Sequence, residues 1–300
     1  MATRATRSRN RYGNPFLPYF LLAPSLAVLA LFTFWPAIHV GWLSLYRNNL
    51  ASNGPHFTGL TNFATILDDP QFRTVLFNTL EFVVGTAVPS MALGLTMALL
   101  LNRQRILSPL YRVAFFYPTL VPMVGAATAW AFIYTPGYGL MDRVLHLWGG
   151  GSLNPLGDPK LALPALIALS IWRMSGYLMI FFLAGLQSVP TDVQEAARVD
   201  GAAYPTILRR IIIPLLGPTF VFVVIIAIVN TAQLVDQLYV TTGGGPNNAT
   251  NLLLWDIYQQ TFSFQDQGIA ATMTVVLVGA LLICAALNAF LLDRRTHYDD

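Results

Sequence analysis

A short polar stretch lies between two long apolar runs of the chain. Residues 195–201 read Glu-Ala-Ala-Arg-Val-Asp-Gly. Val193, Ala196 and Ala197 are predicted to share one helical face, whose small side chains allow close approach to a cleft, and Glu195 can pair with a basic group there. A helix on a lipid surface would carry bulky apolar side chains instead. The pattern therefore predicts a surface that binds another protein through noncovalent contacts.

Amide side chains collect near the end of a later apolar run, at Asn230, Gln233, Asp236 and Gln237. Polar residues inside apolar spans are costly and mark candidate solute pathways. Amides both donate to and accept from hydroxyl groups, so they suit a polyol. The spacing predicts that Asn230, Gln233 and Gln237 share one helical face. Hydrogen bonding between helices is the alternative interpretation.

Arg173 is a further candidate because it lies inside an apolar run, next to Trp172. An arginine in such a position pairs with an acid, extends towards the membrane surface or meets an anionic solute. The sequence favours a structural ion pair, with Glu81 or Asp236 as the acid. Because contact with an anionic solute is the other interpretation, Arg173 also belongs to the candidate pathway residues.

Other kinds of chemistry lack the residues that they need. A phosphate-binding P-loop requires Gly-Lys-Ser/Thr, but the single lysine, Lys160, is followed by leucine. The single cysteine excludes an internal disulfide. The histidines are too far apart for a metal site; they are His39, His56, His146 and His297. The sequence therefore predicts no catalytic residue, no metal and no cofactor in this chain, so that any nucleotide must be bound by a partner.

The elements that position these residues are predicted to be apolar helices. Hydrophobic residues make up 55% of the 300-residue chain and charged residues 10%, whereas soluble domains carry about 25% charged residues. A membrane-spanning helix needs roughly 20 apolar residues. A basic tail, residues 1–14, therefore precedes an all-α transmembrane domain, residues 15–300. Its six predicted spans lie at about 16–45, 76–101, 113–134, 163–189, 211–235 and 268–292.

The basic residues predict how the six spans are oriented. With the N-terminus inside, the cytoplasmic segments carry twelve arginines, and the outer loops carry three arginines and one lysine. Cytoplasmic loops hold the excess of basic residues, so both termini are expected in the cytoplasm. Arginines at membrane edges indicate contact with lipid rather than with nucleic acid. The outer loop 236–267 contains Thr-Gly-Gly-Gly-Pro and is either a flexible connector or a part that approaches a docked partner.

The loop at 190–211 is expected to form a compact helix–turn–helix. Thr191 is the predicted cap of the first helix, with Gln194 completing a capping box. Gly201 is expected to end this helix in a left-handed turn, and a second short helix follows from Ala203. Because a compact pair of helices transmits force better than a flexible loop, the sequence predicts a lever that moves the membrane spans.

Several motifs of this chain resemble those of permease subunits of ATP-binding-cassette (ABC) importers. Glu-Ala-Ala at 195–197, the glycine at 201 and Ile-Ile-Ile-Pro at 211–214 resemble the EAA loop of these permeases. Further motifs resemble the carbohydrate-type branch of the family, at 57–63, 78–79, 117–118, 183–190 and 242–246. Two positions depart from the family pattern, because Ile213 stands where leucine is usual and Ile207 where an aromatic is common.

The resemblance implies a type I ABC importer permease fold with a cytoplasmic coupling helix in the EAA loop, residues 190–211. The implied coupling residues are Glu195, Ala196, Ala197, Asp200 and Gly201. The implied partners are a second homologous permease, two cytoplasmic ABC ATPase subunits that bind the ATP, and an extracytoplasmic solute-binding protein, all at the bacterial inner membrane. The expected function is import of a sugar, a glycerol phosphate or a glycerol phosphodiester, and the chain is not an enzyme. A stand-alone secondary carrier or channel for a small polar solute is the alternative.

Overall fold

The computed structural model describes residues 17–50, 54–103 and 108–293. The basic tail predicted at residues 1–14 lies outside the described residues, as do Arg105, Arg294 and Arg295, which entered the orientation argument. Over the described part of the chain the regular elements are helices and one two-stranded hairpin. The predicted all-α class is confirmed.

The N-terminal span is exposed along its apolar length and packs on the subunit mainly through its C-terminal half, against the last helix. It consists of α1 (Leu17–Leu29), a π-helical turn (Ala30–Phe34) and α2 (Trp35–Leu43). None of its apolar stretch is buried inside the subunit. A helix that is apolar all round requires an apolar environment, so lipid or another protein must surround this span.

A hairpin and a short helix follow the first span. Strand β1 (Tyr46–Arg47) pairs antiparallel with β2 (His56–Phe57), and α3 (Thr61–Asp68) comes next. The Asn62 side chain donates to the backbone oxygens of Ser44 and Tyr46, each at 2.9 Å. The Thr272 hydroxyl also reaches the Ser44 oxygen, at 3.2 Å. These bonds tie the end of the first span to the start of the last one.

The middle of the chain forms the centre of the fold. Its helices are α4 (Pro70–Arg103), α5 (Ser108–Leu120), α6 (Met123–Ile133), α7 (Leu140–Leu147) and α8 (Ala162–Ser188). The third predicted run, 113–134, is a pair of helices rather than one, because α5 and α6 meet at 93°. Pro122 lies at this break in an extended conformation with ψ of 135°, and proline cannot donate the N–H that a continuous helix requires.

Short helices alternate with long ones in the last third of the chain. They are α9 (Thr191–Val199), α10 (Tyr204–Ile207), a π-helical turn (Leu208–Ile212), α11 (Ile213–Leu215), α12 (Gly217–Ala232), α13 (Asp236–Val240), α14 (Leu253–Tyr258), a second such turn (Gln259–Ser263) and α15 (Gln267–Asp293). The fifth predicted run, 211–235, is therefore interrupted at both ends. Two pieces of α-helix and a π-helical turn precede α12, and the chain leaves the helix at Gln233.

Glycines allow the central helices to pack closely. A Cβ atom on Gly94 of α4 would lie 3.0 Å from the backbone oxygen of Ser175 on α8, and one on Gly176 would overlap the carbonyl oxygen of Phe115 on α5. Small residues permit such backbone approach between membrane helices. Side chains of α8 and α12 fill the core beside them, including Leu178, Phe182, Val223 and Ala227.

The described helices account for five or six membrane crossings. Five are long and apolar enough by themselves, and the α5–α6 pair adds a sixth if it forms one span. The five are Pro18–Leu43, Pro70–Asn102, Ala162–Ser188, Gly217–Val240 and Gln267–Phe290. Six spans, as the sequence predicts, require that α5 and α6 together form one broken span.

Candidate coupling loop and solute cavity

Helix α9 begins differently from the sequence prediction. The N-cap residue is Pro190, with φ of −57° and ψ of 131°, and no side chain caps the helix. Thr191 is already the first helical residue, and its hydroxyl lies 3.4 Å from an Asp192 oxygen. The predicted capping box of Thr191 and Gln194 is therefore wrong. Proline separates α8 from α9 instead, because it has no N–H to continue the hydrogen bonds of α8 and it disfavours a helical conformation in Val189, which is extended with ψ of 121°.

The end of α9 is the left-handed turn that the sequence predicts. Gly201 has φ of +79°. Its N–H donates to the Arg198 oxygen at 3.0 Å, and the N–H of Ala202 donates to the Ala197 oxygen at 2.9 Å. These two bonds form a Schellman motif, which satisfies carbonyl groups that the helix end would otherwise leave unpaired. The turn is therefore ordered by the backbone itself.

Apolar residues on either side of α9 hold the loop against the membrane helices. Val189 before it and Ile207 and Ile212 after it are buried, and they pack in one cluster with Leu186 of α8. Beyond Ile212 the helical pieces lead directly into α12. The loop is therefore joined, through packing and through the chain, to the ends of both α8 and α12.

The surface of α9 that faces away from the core of the subunit is exposed in the described part of the chain. Glu195 and Ala196 are exposed, and Glu195 forms no ion pair with another described residue. Ala197 turns inward and packs against the core, so the predicted shared face of Val193, Ala196 and Ala197 is wrong for Ala197. A small polar surface of Glu195, Ala196, Asp200 and the 88%-exposed Val199 remains. It suits insertion into a complementary cleft.

A cavity of about 240 Å³ lies between α5, α6, α8 and α12. Its polar lining consists of Thr119, Ser170, Arg173, Tyr177 and Asn230. Met123, Met174 and Leu234 provide the apolar part. Ser170, Arg173 and Tyr177 lie three and four residues apart on one face of α8. Of these three residues only Arg173 was predicted from the sequence, although their spacing also indicates that Ser170 and Tyr177 share its face of the helix.

Arg173 does not form the ion pair that the sequence favours. Within the described ranges neither Glu81 nor Asp236 pairs with it, and both acids are exposed. Its Nη1 atom lies 3.4 Å from the Met123 sulfur, and its buried Nε atom has no partner. The Thr119 hydroxyl donates to the Arg173 backbone oxygen at 3.2 Å. The ion-pair prediction is wrong because Glu81 is exposed on α4 and Asp236 is exposed at the start of α13, whereas Arg173 faces the cavity from inside α8.

The four candidate amide and acid residues do not share a face. Asn230 lines the cavity, where its amide donates to the Ile226 oxygen at 2.8 Å. Gln233 is exposed and ends α12, and Asp236 is exposed at the start of α13. Gln237 is fully buried behind the cavity and accepts a bond from the Ser170 hydroxyl at 3.1 Å. The shared-face prediction is wrong because the break after Ala232 rotates the residues that follow.

The segment that follows the glycine-rich stretch folds onto the N-terminal part of α4. The Asn78 amide donates to the Asn248 oxygen at 2.9 Å and to the Asn251 oxygen at 3.3 Å. The Thr79 hydroxyl accepts from the Leu253 N–H at 2.8 Å. Residues 248–253 are therefore held in place, which argues against a flexible connector.

The pKa values of two carboxyl groups outside the apolar spans are shifted in opposite directions. Burial raises the pKa of Asp256 above its usual 3.8, a hydrogen bond from Asn251 opposes this, and the charge of Asp69 raises the pKa further. The pKa of Asp142 is lowered, chiefly by a hydrogen bond from Ser152. Both groups lie outside the apolar spans, so they bear on the stability of the outer loops.

Comparison with known proteins places the chain among membrane transport components. Residues 90–298 match the family model described as binding-protein-dependent transport system inner membrane component. The sn-glycerol-3-phosphate transport system permease protein UgpA of Agrobacterium fabrum is 32% identical over 291 residues, which cover 96% of this chain and 98% of that protein. The trehalose/maltose transport system permease protein MalF of Thermococcus litoralis is 30% identical over 272 residues, covering 90% and 91% respectively.

A solved structure shares the fold over almost the whole chain. It is a chain of a bacterial alginate ABC transporter in complex with an alginate pentasaccharide-bound periplasmic protein. The TM-score is 0.82 at 20% identity, covering 94% of this chain and 96% of that one. At this identity the likeness shows the fold rather than the solute.

Proposed function

Because this chain belongs to the family of binding-protein-dependent transport system inner membrane components, we propose that it forms one half of a transmembrane pathway that a binding protein supplies with solute. The chain is an ABC importer permease subunit with a type I permease fold, and it is a transport component rather than an enzyme. The predicted function class is confirmed, and the stand-alone carrier or channel is left without support. The chain is a multi-pass inner-membrane protein.

We place both termini and the 190–211 loop in the cytoplasm. If α5 and α6 form one broken span, twelve basic residues face inward and four face outward. If they instead formed a re-entrant loop, all later segments would change sides and the distribution would be nine against seven. The positive-inside rule favours the first topology. This topology places α9 on the side where ATP is available.

On that side, α9 is the surface to which an ABC ATPase subunit docks. Glu195 offers a charge to a basic residue of the ATPase, Ala196 allows close approach, and the Asp200–Gly201 turn keeps the helix end in shape. Two ATPase subunits would bind the ATP, one against this permease and one against a second, homologous permease. Closure of the ATPase pair on ATP would then move α8 and α12 through the buried residues that anchor the loop.

The transported solute is a sugar or a glycerol-phosphate-type polyol that passes through the central cavity. Neutral hydroxyl and amide groups line it, and such groups recognise polyols. Its volume of about 240 Å³ is below the roughly 300–1,000 Å³ of a complete small-molecule site. The second permease would supply the other wall. Relatives named for glycerol 3-phosphate and for trehalose and maltose support this solute range.

The observation that carries the proposal is the position of α9. Residues on either side of it are buried against α8 and the start of α12, whereas Glu195 and Ala196 on its free face are exposed. Glu195→Lys should leave the protein in the membrane but weaken ATPase binding roughly 30-fold or more, as expected when one charge of a pair is reversed. ATP-dependent uptake into proteoliposomes and co-purification of the ATPase measure the effect. Asp68→Lys, the same charge change on an exposed outer residue, is the control. Normal ATPase yield and normal uptake with Glu195→Lys would refute the coupling role.

A further inference from the structure

Arg173 brings a permanent positive charge to the central cavity. Its buried Nε atom has no hydrogen-bond partner, and Nη1 lies 3.4 Å from the Met123 sulfur. A thioether is a weak acceptor without charge, whereas a guanidinium carries five N–H donors. Most of the hydrogen-bonding capacity of Arg173 is therefore unused by the described residues of this chain.

Part of this guanidinium is held away from water, because the Nε atom is buried although the residue as a whole is half-buried. A charge in such a position is stabilised by a counter-charge. The two acids that the sequence offered, Glu81 and Asp236, do not pair with Arg173, and no other described acid does. An anion that enters the cavity can therefore supply the counter-charge.

The remaining lining fits a hydroxylated molecule that carries a single anionic group. Thr119, Tyr177 and Asn230 are neutral hydrogen-bonding residues, and none of the described residues that line the cavity is acidic, so none repels an anion. A guanidinium binds phosphate and carboxylate groups through two parallel hydrogen bonds. We propose that Arg173 selects solutes in which a polyol or sugar carries an oxyanion. This inference rests on the proposed import function.

The test compares matched anionic and neutral solutes in proteoliposomes that contain the assembled importer and its binding protein. The anions are sn-glycerol 3-phosphate and glucuronate, and glycerol and glucose are their neutral counterparts. The KM of ATP-dependent uptake is measured for the wild type, Arg173→Gln and Arg173→Lys. Arg143→Gln is the control, because Arg143 is an exposed arginine of α7 outside the cavity lining.

We expect uptake of an anionic solute and not of its neutral counterpart. Arg173→Gln should raise the KM of that anion roughly 10- to 100-fold, as expected for the loss of a hydrogen bond to a charged group. Arg173→Lys keeps the charge but loses the bidentate geometry, so its KM should lie between the two. Arg143→Gln should match the wild type. The phosphate and carboxylate arms identify which oxyanion the site accepts.

Three results would overturn the inference. Neutral solutes could be transported with the same KM as anions, or Arg173→Gln could leave the KM of the anion unchanged. Loss of the second permease from the Arg173→Gln complex would assign the guanidinium to an ion pair between subunits. Uptake that persists without the ATPase subunits would count against the proposed function itself, and so separates the two failures.

Discussion

Gly201→Ala isolates the contribution of the turn after α9 to coupling. Gly201 has φ of +79°, and no atom lies within 4 Å of the position that a Cβ would take. The substitution therefore adds no clash, and its cost comes only from the backbone conformation. An L-residue in the left-handed region costs about 1–2 kcal/mol. That amount lowers the population of the native turn roughly 5- to 30-fold relative to alternatives.

The native turn depends on two hydrogen bonds, from Gly201 to Arg198 and from Ala202 to Ala197. When they are lost, α9 frays and the path from α9 to the second helix becomes flexible. We expect Gly201→Ala to insert normally but to hydrolyse several times more ATP for each solute molecule imported. Gly201→Asn is the matched variant, because asparagine tolerates the left-handed region better than alanine does.

The assay measures ATP hydrolysis and solute uptake on the same proteoliposomes. Coupling in Gly201→Asn should lie close to that of the wild type, with Gly201→Ala clearly lower. Equal coupling in all three proteins would show that the turn does not transmit motion. Equal loss in both variants would show that the position must lack a side chain for another reason, such as contact with the ATPase.

Two further predictions concern stability. Gly176→Ala places a methyl group against the Phe115 carbonyl, so we expect a clear loss of thermal stability in detergent; Gly125→Ala, where the space is open, is the control, and equal melting temperatures would contradict the packing argument. The pKa of Asp256 is raised in the folded protein, so the folded state binds the carboxyl proton more tightly than the unfolded chain does. The protonated carboxyl therefore stabilises the fold at low pH, and this stabilisation is lost as pH rises from about 3.8 through the raised pKa. Asp256→Asn should remove that part of the pH dependence of the melting temperature, and an unchanged profile would show that another group is responsible.

Features that depend on neighbouring residues were predicted well. The end of α9 at Gly201 could be predicted because only glycine enters the left-handed region at little cost. The helical class and the long apolar spans followed from composition. The start of α9 was missed because Pro190 takes the position that Thr191 was expected to hold, and several residue types are acceptable at that position.

A helix break and a contact between distant segments were not predicted. Asn230 and Gln237 were expected on one face, but the helix break after Ala232 separates them. The packing of the 248–251 segment against Asn78 joins residues 170 positions or more apart. No local sequence pattern predicts such contacts, although the motifs at 78–79 and 242–246 are each recognisable on their own.

The sequence by itself determined that the chain is a helical membrane protein and that a polar loop between two of its spans contains a glycine turn; it also predicts how the spans are oriented. These properties follow from apolar length, local backbone preference and, for the orientation, the basic residues. Only the tertiary structure decided which faces of α8 and α12 meet at the cavity, and that no described acid pairs with Arg173 there. The reason is that lipid is as apolar as the side chains it surrounds, so hydrophobicity does not choose among helix faces in a membrane; close packing and polar contacts do.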